Sequence, residues 1–341
     1  MIAVFDGHND AITADDHELI ATGRPGGHLD LPRMRAGGMR GGIFAVFTES
    51  EDFDWRRVKR DDGILEIAPA PEVPHTRAAA SAAAAAGRLI ALEGAGEVRI
   101  ARTAADLDAA RDGNGPPAIV LHLEGAEAID PGLESLEFWY AAGLRSLGPV
   151  WSRANAFGCG VPFVFPSSPD TGPGLTDAGH ALVRRCAELG ISVDLSHLNE
   201  AGFWDVARAE PGPLIASHSG AHALCEASRN LTDRQLDAIG ASQGLVGIIF
   251  GCPFIRSDFA DDPDTPLARI AEHAAYVAER IGIEHVALGS DFDGTTIPSE
   301  LRDVAGFPRL LAALGHAGFS SSDLRAIAWE NWRRVLAAWW R

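Results

Sequence analysis

The stretch that decides the fold is Ile191-Ser-Val-Asp-Leu-Ser-His197, followed after an amphipathic stretch by Pro213-Leu-Ile-Ala-Ser-His218. Each is a short apolar, β-rich run that stops at a histidine. Near-continuous hydrophobicity over such lengths marks strands buried on both faces. Moving outward, the same pattern recurs at Ile2–Phe5, Gly42–Thr48, Ala118–Leu123, Leu144–Val150, Leu245–Phe250 and His285–Gly289. Together with Ile191–Leu195 and Pro213–Ser217 these make eight runs, the number that closes a parallel barrel. The expected fold class is therefore α/β, a (β/α)8 TIM-like barrel in a single domain over residues 1–341. Residues around 51–115 read as a peripheral helical and strand insertion.

The segments between runs carry helix signals. Thr265-Pro266 reads as an N-cap with proline at the first helical position, ahead of an apolar face from Leu267 to Ile281 and a stop at Gly282. Thr232 and Gln235 fit a capping box. Glu134–Ala142 and Thr176–Leu189 end at Gly143 and Gly190. Ala78–Ala86 reads as a peripheral helix, Glu97–Ala101 as an extra strand, and Asp323–Trp340 as a final helix whose four tryptophans pack on the barrel or a partner subunit.

The polar residues at the ends of the runs fall on the catalytic face of such a barrel. His8 and Asp10 follow the first run, Glu124 the third, His197 and His218 two later ones, and Asp291 the last. In extended backbone His8 and Asp10 point to one side. Imidazole and carboxylate together suit a zinc-class ion, and five such groups with one bridging carboxylate describe a two-metal centre. Each residue alone has a blander reading: a chance loop pair, an exposed glutamate, a hydrogen-bonded core histidine, or for Asp291 a helix cap or ligand support. His122 reads as a packed strand histidine. The remaining histidines (His17, His28, His75, His180, His222, His273, His285 and His316) lie outside the set, and Asp293 is a weaker candidate than Asp291.

The motifs DGHND (6–10), RAGGMRGGIFAVF (35–47), LEGAEAI (123–129), DLSHLNEAGFWDV (194–206), SHSGAHALCEASRNLTD (217–233), GSDFDG (289–294) and ENWRRVL (330–336) resemble the membrane (renal) dipeptidase family of the amidohydrolase superfamily. The resemblance implies a zinc-dependent dipeptidase with two Zn(2+) ions per subunit. His8 and Asp10 match the ligands of one zinc, His197 and His218 those of the other, Glu124 the bridge, and Asp291 the proton shuttle. Arg229 matches the arginine that holds the substrate's free carboxylate, which suits its planar fork. The family has a histidine where this chain has Trp151; Arg153 or Asn155 in the same loop are the candidates to supply the missing donor. By the same resemblance L,D-dipeptides are expected substrates and a homodimer is compatible. Two other readings stay open: hydrolysis of another amide or ester, such as a cyclic amide or lactone, and a non-catalytic metal-binding protein.

Bulk properties narrow the partners. The charge, 29 − 47 = −18, opposes nucleic acid and anionic membrane. Apolar runs fall short of a membrane span, the N-terminus shows no signal peptide, and Cys159, Cys186, Cys225 and Cys252 lack a C-x-x-C pair. Reduced thiols and a cytoplasmic location are the expectation.

Overall fold

The computed structural model describes residues 1–113 and 115–340. Two residues of the expected domain span, Asn114 and Arg341, lie outside it.

Eight short parallel strands form the centre. Strands β1 (Val4–Asn9), β2 (Met39–Phe47), β3 (Ala118–Glu124), β4 (Leu144–Gly148) and β5 (Ser192–Val193) pair in that order, all parallel. Strands β6 (Ile215–Ser219), β7 (Leu245–Ile248) and β8 (Val286–Leu288) form a second parallel sheet. Single parallel bridges link the sheets, Asp194 with Ile215 on one side and Asn9 with Phe292 on the other. The strands are sealed on both faces, which is why their sequences are continuously apolar.

The strands differ from the apolar runs at both ends: β2 begins earlier, at Met39, β4, β5 and β7 stop inside their runs, and three others reach past theirs into polar residues. β1 extends through Asn9, β3 takes in Glu124 and β6 takes in His218 and Ser219. Those side chains are buried too, so the ladder continues past the point where hydrophobicity stops. Gly7 makes this possible in β1: a Cβ there would lie 2.6 Å from the Ser217 carbonyl oxygen and 2.7 Å from that of Leu288. Any side chain would push β1 away from β6 and β8.

The helices follow their caps. Thr232 and Gln235 form the capping box of helix Asp233–Ala241, and the Thr176 hydroxyl accepts from the Gly179 N–H at the start of Asp177–Leu189. Gly143 and Gly190 close their helices in the left-handed region. One start is displaced: the helix expected from Thr265-Pro266 begins at Ala268. The Thr265 hydroxyl instead donates to the Asp262 carbonyl at 2.6 Å, closing a turn and leaving no cap.

The alanine-rich segment lies in helix His75–Gly94, and its small buried residues Ala78, Ala82, Ala85 and Ala86 let the helix sit close to the sheet. Arg99–Ile100 pairs with β3 as an additional strand. A hairpin, Arg57–Lys59 with Leu65–Ile67, is extended by Val164–Phe165. The C-terminal helical segment is interrupted by a π turn at Ala326–Glu330 and carries all four tryptophans into the chain's own core. Trp329 and Trp332 rings lie 5.6 and 5.7 Å from Phe5, and the Trp332 Nε1–H donates to the Leu288 carbonyl. Among the described residues no helix is long and apolar enough to cross a membrane.

All four cysteines are free. Burial pushes the Cys186 and Cys225 thiols up to about 12 and Cys252 up to about 11. The reactive thiolate is therefore scarce at ordinary pH. A thiol titration at pH 8 should label at most one cysteine, Cys159, in the native protein and all four in denaturant; rapid native labelling of three would contradict this packing.

Candidate metal centre

At the C-terminal ends of β1, β3 and β6 and in the segment after β5, three imidazoles meet around one carboxylate oxygen, with Asp10 beside them. Glu124 Oε1 lies 3.4 Å from His8 Nε2, 3.0 Å from His197 Nε2 and 3.6 Å from His218 Nε2. His197 and His218 Nε2 are 3.0 Å apart, and His8 Nε2 lies 3.8 Å from Asp10 Oδ2. Donors at the corners of a zinc tetrahedron stand about 3.3 Å apart, given metal–donor lengths near 2.0–2.2 Å. The observed spacings fall around that edge. Neither His8 nitrogen nor Asp10 Oδ1 has a hydrogen-bond partner, although each atom is buried. Such orphans are costly unless a cation or water occupies the space between them. The donor set thus fits divalent cations, with His8 and Asp10 on one side, His197 and His218 on the other, and Glu124 between.

The surroundings fix which nitrogens face inward. The Ser217 hydroxyl donates to the Asp194 carboxylate, which can only accept. The same hydroxyl, 2.8 Å from His218 Nδ1, must then accept the Nδ1–H, leaving Nε2 as a bare lone pair toward Glu124. Ser152 Oγ lies 2.8 Å from His197 Nδ1 and anchors that ring from the loop after β4. Asp6 accepts from both the N–H and hydroxyl of Ser290, and the Ser290 hydroxyl also reaches the His8 carbonyl. This ties the end of β1 to the segment after β8. Asp6, Ser152, Asp194 and Ser217 were not singled out from sequence; polar residues inside or beside otherwise apolar runs were the available signal.

Burial and the neighbouring charges shift every ionisable group of the cluster. Burial opposes ionisation of Glu124, yet the imidazoles of His8 and His197 hold it well below the usual carboxylate range. Burial likewise opposes protonation of His8, but Glu124 and Asp10 lift it to about 10. Asp10, buried beside Glu124, is raised well above its usual range, and burial carries Asp291 up to about 7. Burial, with Arg229 nearby, takes His197 down to about 4 and keeps His218 neutral. Carboxylates crowded against imidazoles in a buried site, with His197 and His218 neutral, offer the donors that divalent cations take.

A cavity of about 1320 Å³ opens over this cluster and is lined by Asp10, Glu124, His197, Arg229 and Asp291 together with Trp151. Arg229 is buried, with Nη1 donating to Ser219 Oγ and Nη2 to the His218 carbonyl. Asp291 sits at φ 58°, its N–H donated to the His8 carbonyl. Gly294 lets the chain pass between Asp10 and Asp291, because a Cβ there would strike both carboxylates.

Two expected donors are elsewhere. Arg153 points away from the cavity, its Nε bonded to Glu127, Nη1 to Ser50 and Nη2 to the Thr48 carbonyl. Asn155 bridges the Pro149 carbonyl and the Phe157 N–H, shaping its own loop. Asp293 is committed to Arg24 and the His28 N–H. His28 lines the cavity, contrary to expectation: the Asp293 N–H donates to its Nδ1, which places the neutral ring's proton on Nε2. His122 is packed beneath His8, as its strand position suggested, with Nδ1 on Ser146 Oγ.

A family model described as membrane dipeptidase (peptidase family M19) matches residues 1–339. The chain is similar to an uncharacterized protein in the pqqA 5′ region of Klebsiella pneumoniae, 49% identical over 247 residues that cover 72% of this chain and 91% of that protein. It is similar in structure to a metallopeptidase described as dipeptidase AC, with a TM-score of 0.93, 44% identity and 99% of both chains covered. A metallopeptidase from Rhodobacter sphaeroides, solved with a phosphinate mimic of the dipeptide L-Ala-D-Ala, also has a TM-score of 0.93, at 42% identity over 99% of each chain.

The Asp194–Ser217–His218 relay predicts a measurable effect on metal uptake. Replacing Asp194 with Asn should weaken metal affinity roughly 10–100-fold in chelator competition while the protein stays folded. Unchanged affinity would show that the relay does not orient His218.

Proposed function

The chain belongs to the membrane dipeptidase family, peptidase family M19, and is a metal-dependent hydrolase of peptide bonds; from that premise we propose that it cleaves dipeptides with a free C-terminal carboxylate, L,D-dipeptides among them. The observation that carries this reading is the convergence of three imidazoles on the single oxygen Glu124 Oε1, beside orphaned buried atoms of His8 and Asp10. In this reading His8 and Asp10 would hold one Zn(2+) and His197 and His218 a second, with Glu124 as the carboxylate between them. The two parallel sheets with their linking bridges are read as one (β/α)8 barrel over 1–341, with 51–115 as its peripheral insertion.

Bound there, the ions supply Lewis acidity toward water and the scissile carbonyl. The protein's own groups do the rest. Asp291, at the cavity wall beside Asp10, accepts the proton of the attacking water and passes it to the leaving amine. Arg229, already held by the end of β6, presents its remaining N–H groups to the substrate carboxylate. The substrate's free amino group would face the metal held by His8 and Asp10, as the family resemblance implies. Trp151 contacts the substrate in place of the family's histidine, while Arg153 and Asn155 support the loop behind it. The similarity to a protein solved with an L-Ala-D-Ala mimic supports the choice of L,D-dipeptides.

Three measurements test the reading. Chelation should abolish hydrolysis and zinc restore it, with metal analysis giving two ions per chain. Asp291→Asn should keep its metal and lose roughly 10²–10⁴-fold in turnover; full activity at full occupancy would refute the shuttle. Amidation of the substrate's C-terminus should lower kcat/KM about 10–100-fold, the worth of a charge-assisted hydrogen bond near 1.5–3 kcal/mol. Equal rates would remove Arg229 as the clamp.

A further inference from the structure

One wall of the cavity is aromatic. Trp151 is its centre: its ring lies 4.9 Å from Phe47, 5.6 Å from Phe163 and 5.7 Å from Trp55. Phe254 continues the surface 5.9 Å beyond Phe163. All five rings line the same cavity as Glu124 and Arg229. They come from separate parts of the chain: the end of β2, the loop before the hairpin, the loop after β4, the segment before Val164, and the helix after β7.

The wall stands at one end of the metal cluster. Trp151 and Phe163 ring centres are 5.7 and 6.4 Å from His197. Arg229 reaches the same imidazole, with Nη2 3.3 Å from His197 Nε2. A carboxylate gripped by Arg229 therefore belongs to a residue whose side chain starts beside the aromatic surface. The acidic groups Asp10 and Asp293 line the same cavity but hold no ring of this wall.

The back of the wall argues against a charged occupant. The Arg153 guanidinium lies 5.2 Å from the Phe47 ring and 5.3 Å from Trp151, fixed by its buried ion pair with Glu127. Arg229, at the same end of the cluster, repels a cationic side chain. An anionic side chain would lose its hydration against the aromatic rings, and Arg229, the cation in reach, is taken by the carboxylate. Apolar side chains lose water against the wall at no such cost.

Resting on the dipeptidase reading, we propose that this wall is the pocket for the side chain of the substrate's carboxyl-terminal residue and selects apolar, above all aromatic, residues there. Trp151 and Trp55 are the specificity-determining positions, one at the centre and one at the half-exposed rim.

The test uses the zinc-loaded full chain and two dipeptide series. One varies the carboxyl-terminal residue (Ala, Leu, Phe, Asp, Lys, in both configurations) after L-Ala; the other varies the amino-terminal residue before D-Ala. The expected kcat/KM rises tenfold or more from Ala to Phe at the carboxyl end and falls for Asp and Lys, with a weaker trend in the second series. Trp55→Ala, whose ring is half-exposed and removable without opening the core, should bring the Phe/Ala ratio down severalfold; Trp151→Ala should bring it near one. Calorimetric affinities of non-hydrolysable phosphinate analogues ending in Phe or Ala provide a readout independent of turnover. Hydrolysis with a flat profile, a preference for Asp or Lys, or selectivity confined to the amino-terminal residue overturns the proposal and leaves the dipeptidase reading standing. Absence of all hydrolysis with a tenfold Phe/Ala affinity ratio sinks that reading but keeps the pocket. Equal analogue affinities overturn the pocket.

Discussion

Glu124 sets the terms for everything around it. A carboxylate at the end of a fully buried strand costs several kcal/mol unless its charge is answered. Here the answer comes from three imidazoles, one each from β1, the segment after β5, and β6, all within 3.6 Å of one oxygen. Those groups are far apart in sequence, so the interaction requires both parallel sheets to face one another with their C-terminal ends level. Imidazole alone does not complete it: His197 and His218 are held neutral, and His8 keeps two unpartnered nitrogens. His197 and His218 thus offer neutral donors beside the buried carboxylates of Glu124 and Asp10, the ligand types a divalent cation takes.

Holding such a cluster in place falls to polar groups one layer further in. Asp194 braces β6 through Ser217, Asp6 ties β1 to Ser290, and Ser152 reaches His197 from the loop after β4. Each of these groups fixes either a tautomer or a backbone position. The tryptophans of the C-terminal helix work from outside: Trp332 packs on Phe5 and bonds the Leu288 carbonyl, so the side of the structure away from the chemistry is stiff. Rigidity there matters because a displacement of about 1 Å at a site of this kind can cost two orders of magnitude in rate.

Much of this was legible in the sequence, for a physical reason. Strands buried on both faces leave an unmistakable apolar record, so all eight central strands fall on the eight runs read from the sequence. A polar residue terminating such a run has few explanations, which is why His8, Asp10, Glu124, His197, His218 and Asp291 could be named before any coordinates. The partners behind them were hidden because serine and aspartate inside a strand look like ordinary interruptions. His28 escaped for another reason: its place depends on a contact with Asp293, a residue 265 positions away, and no local pattern reports that. Thr265 shows the opposite failure, a local pattern correct in type that lost to a turn its own hydroxyl preferred.

The loop after β4 shows how one short segment can serve the site through alternation. Trp151 faces the cavity, Ser152 turns back to hold His197, and Arg153 lies behind Trp151 against Glu127. Arg153 cannot also be a substrate donor: its ion pair is sealed from solvent, and swinging the guanidinium outward would strand Glu127 in the interior. Arg153 therefore adds no donor to the cavity beside Trp151. What the loop offers in exchange is a flat apolar surface, pinned from behind by a neutralised charge. Around it the polar groups converge on Glu124, while the aromatic rings leave that end of the cavity apolar.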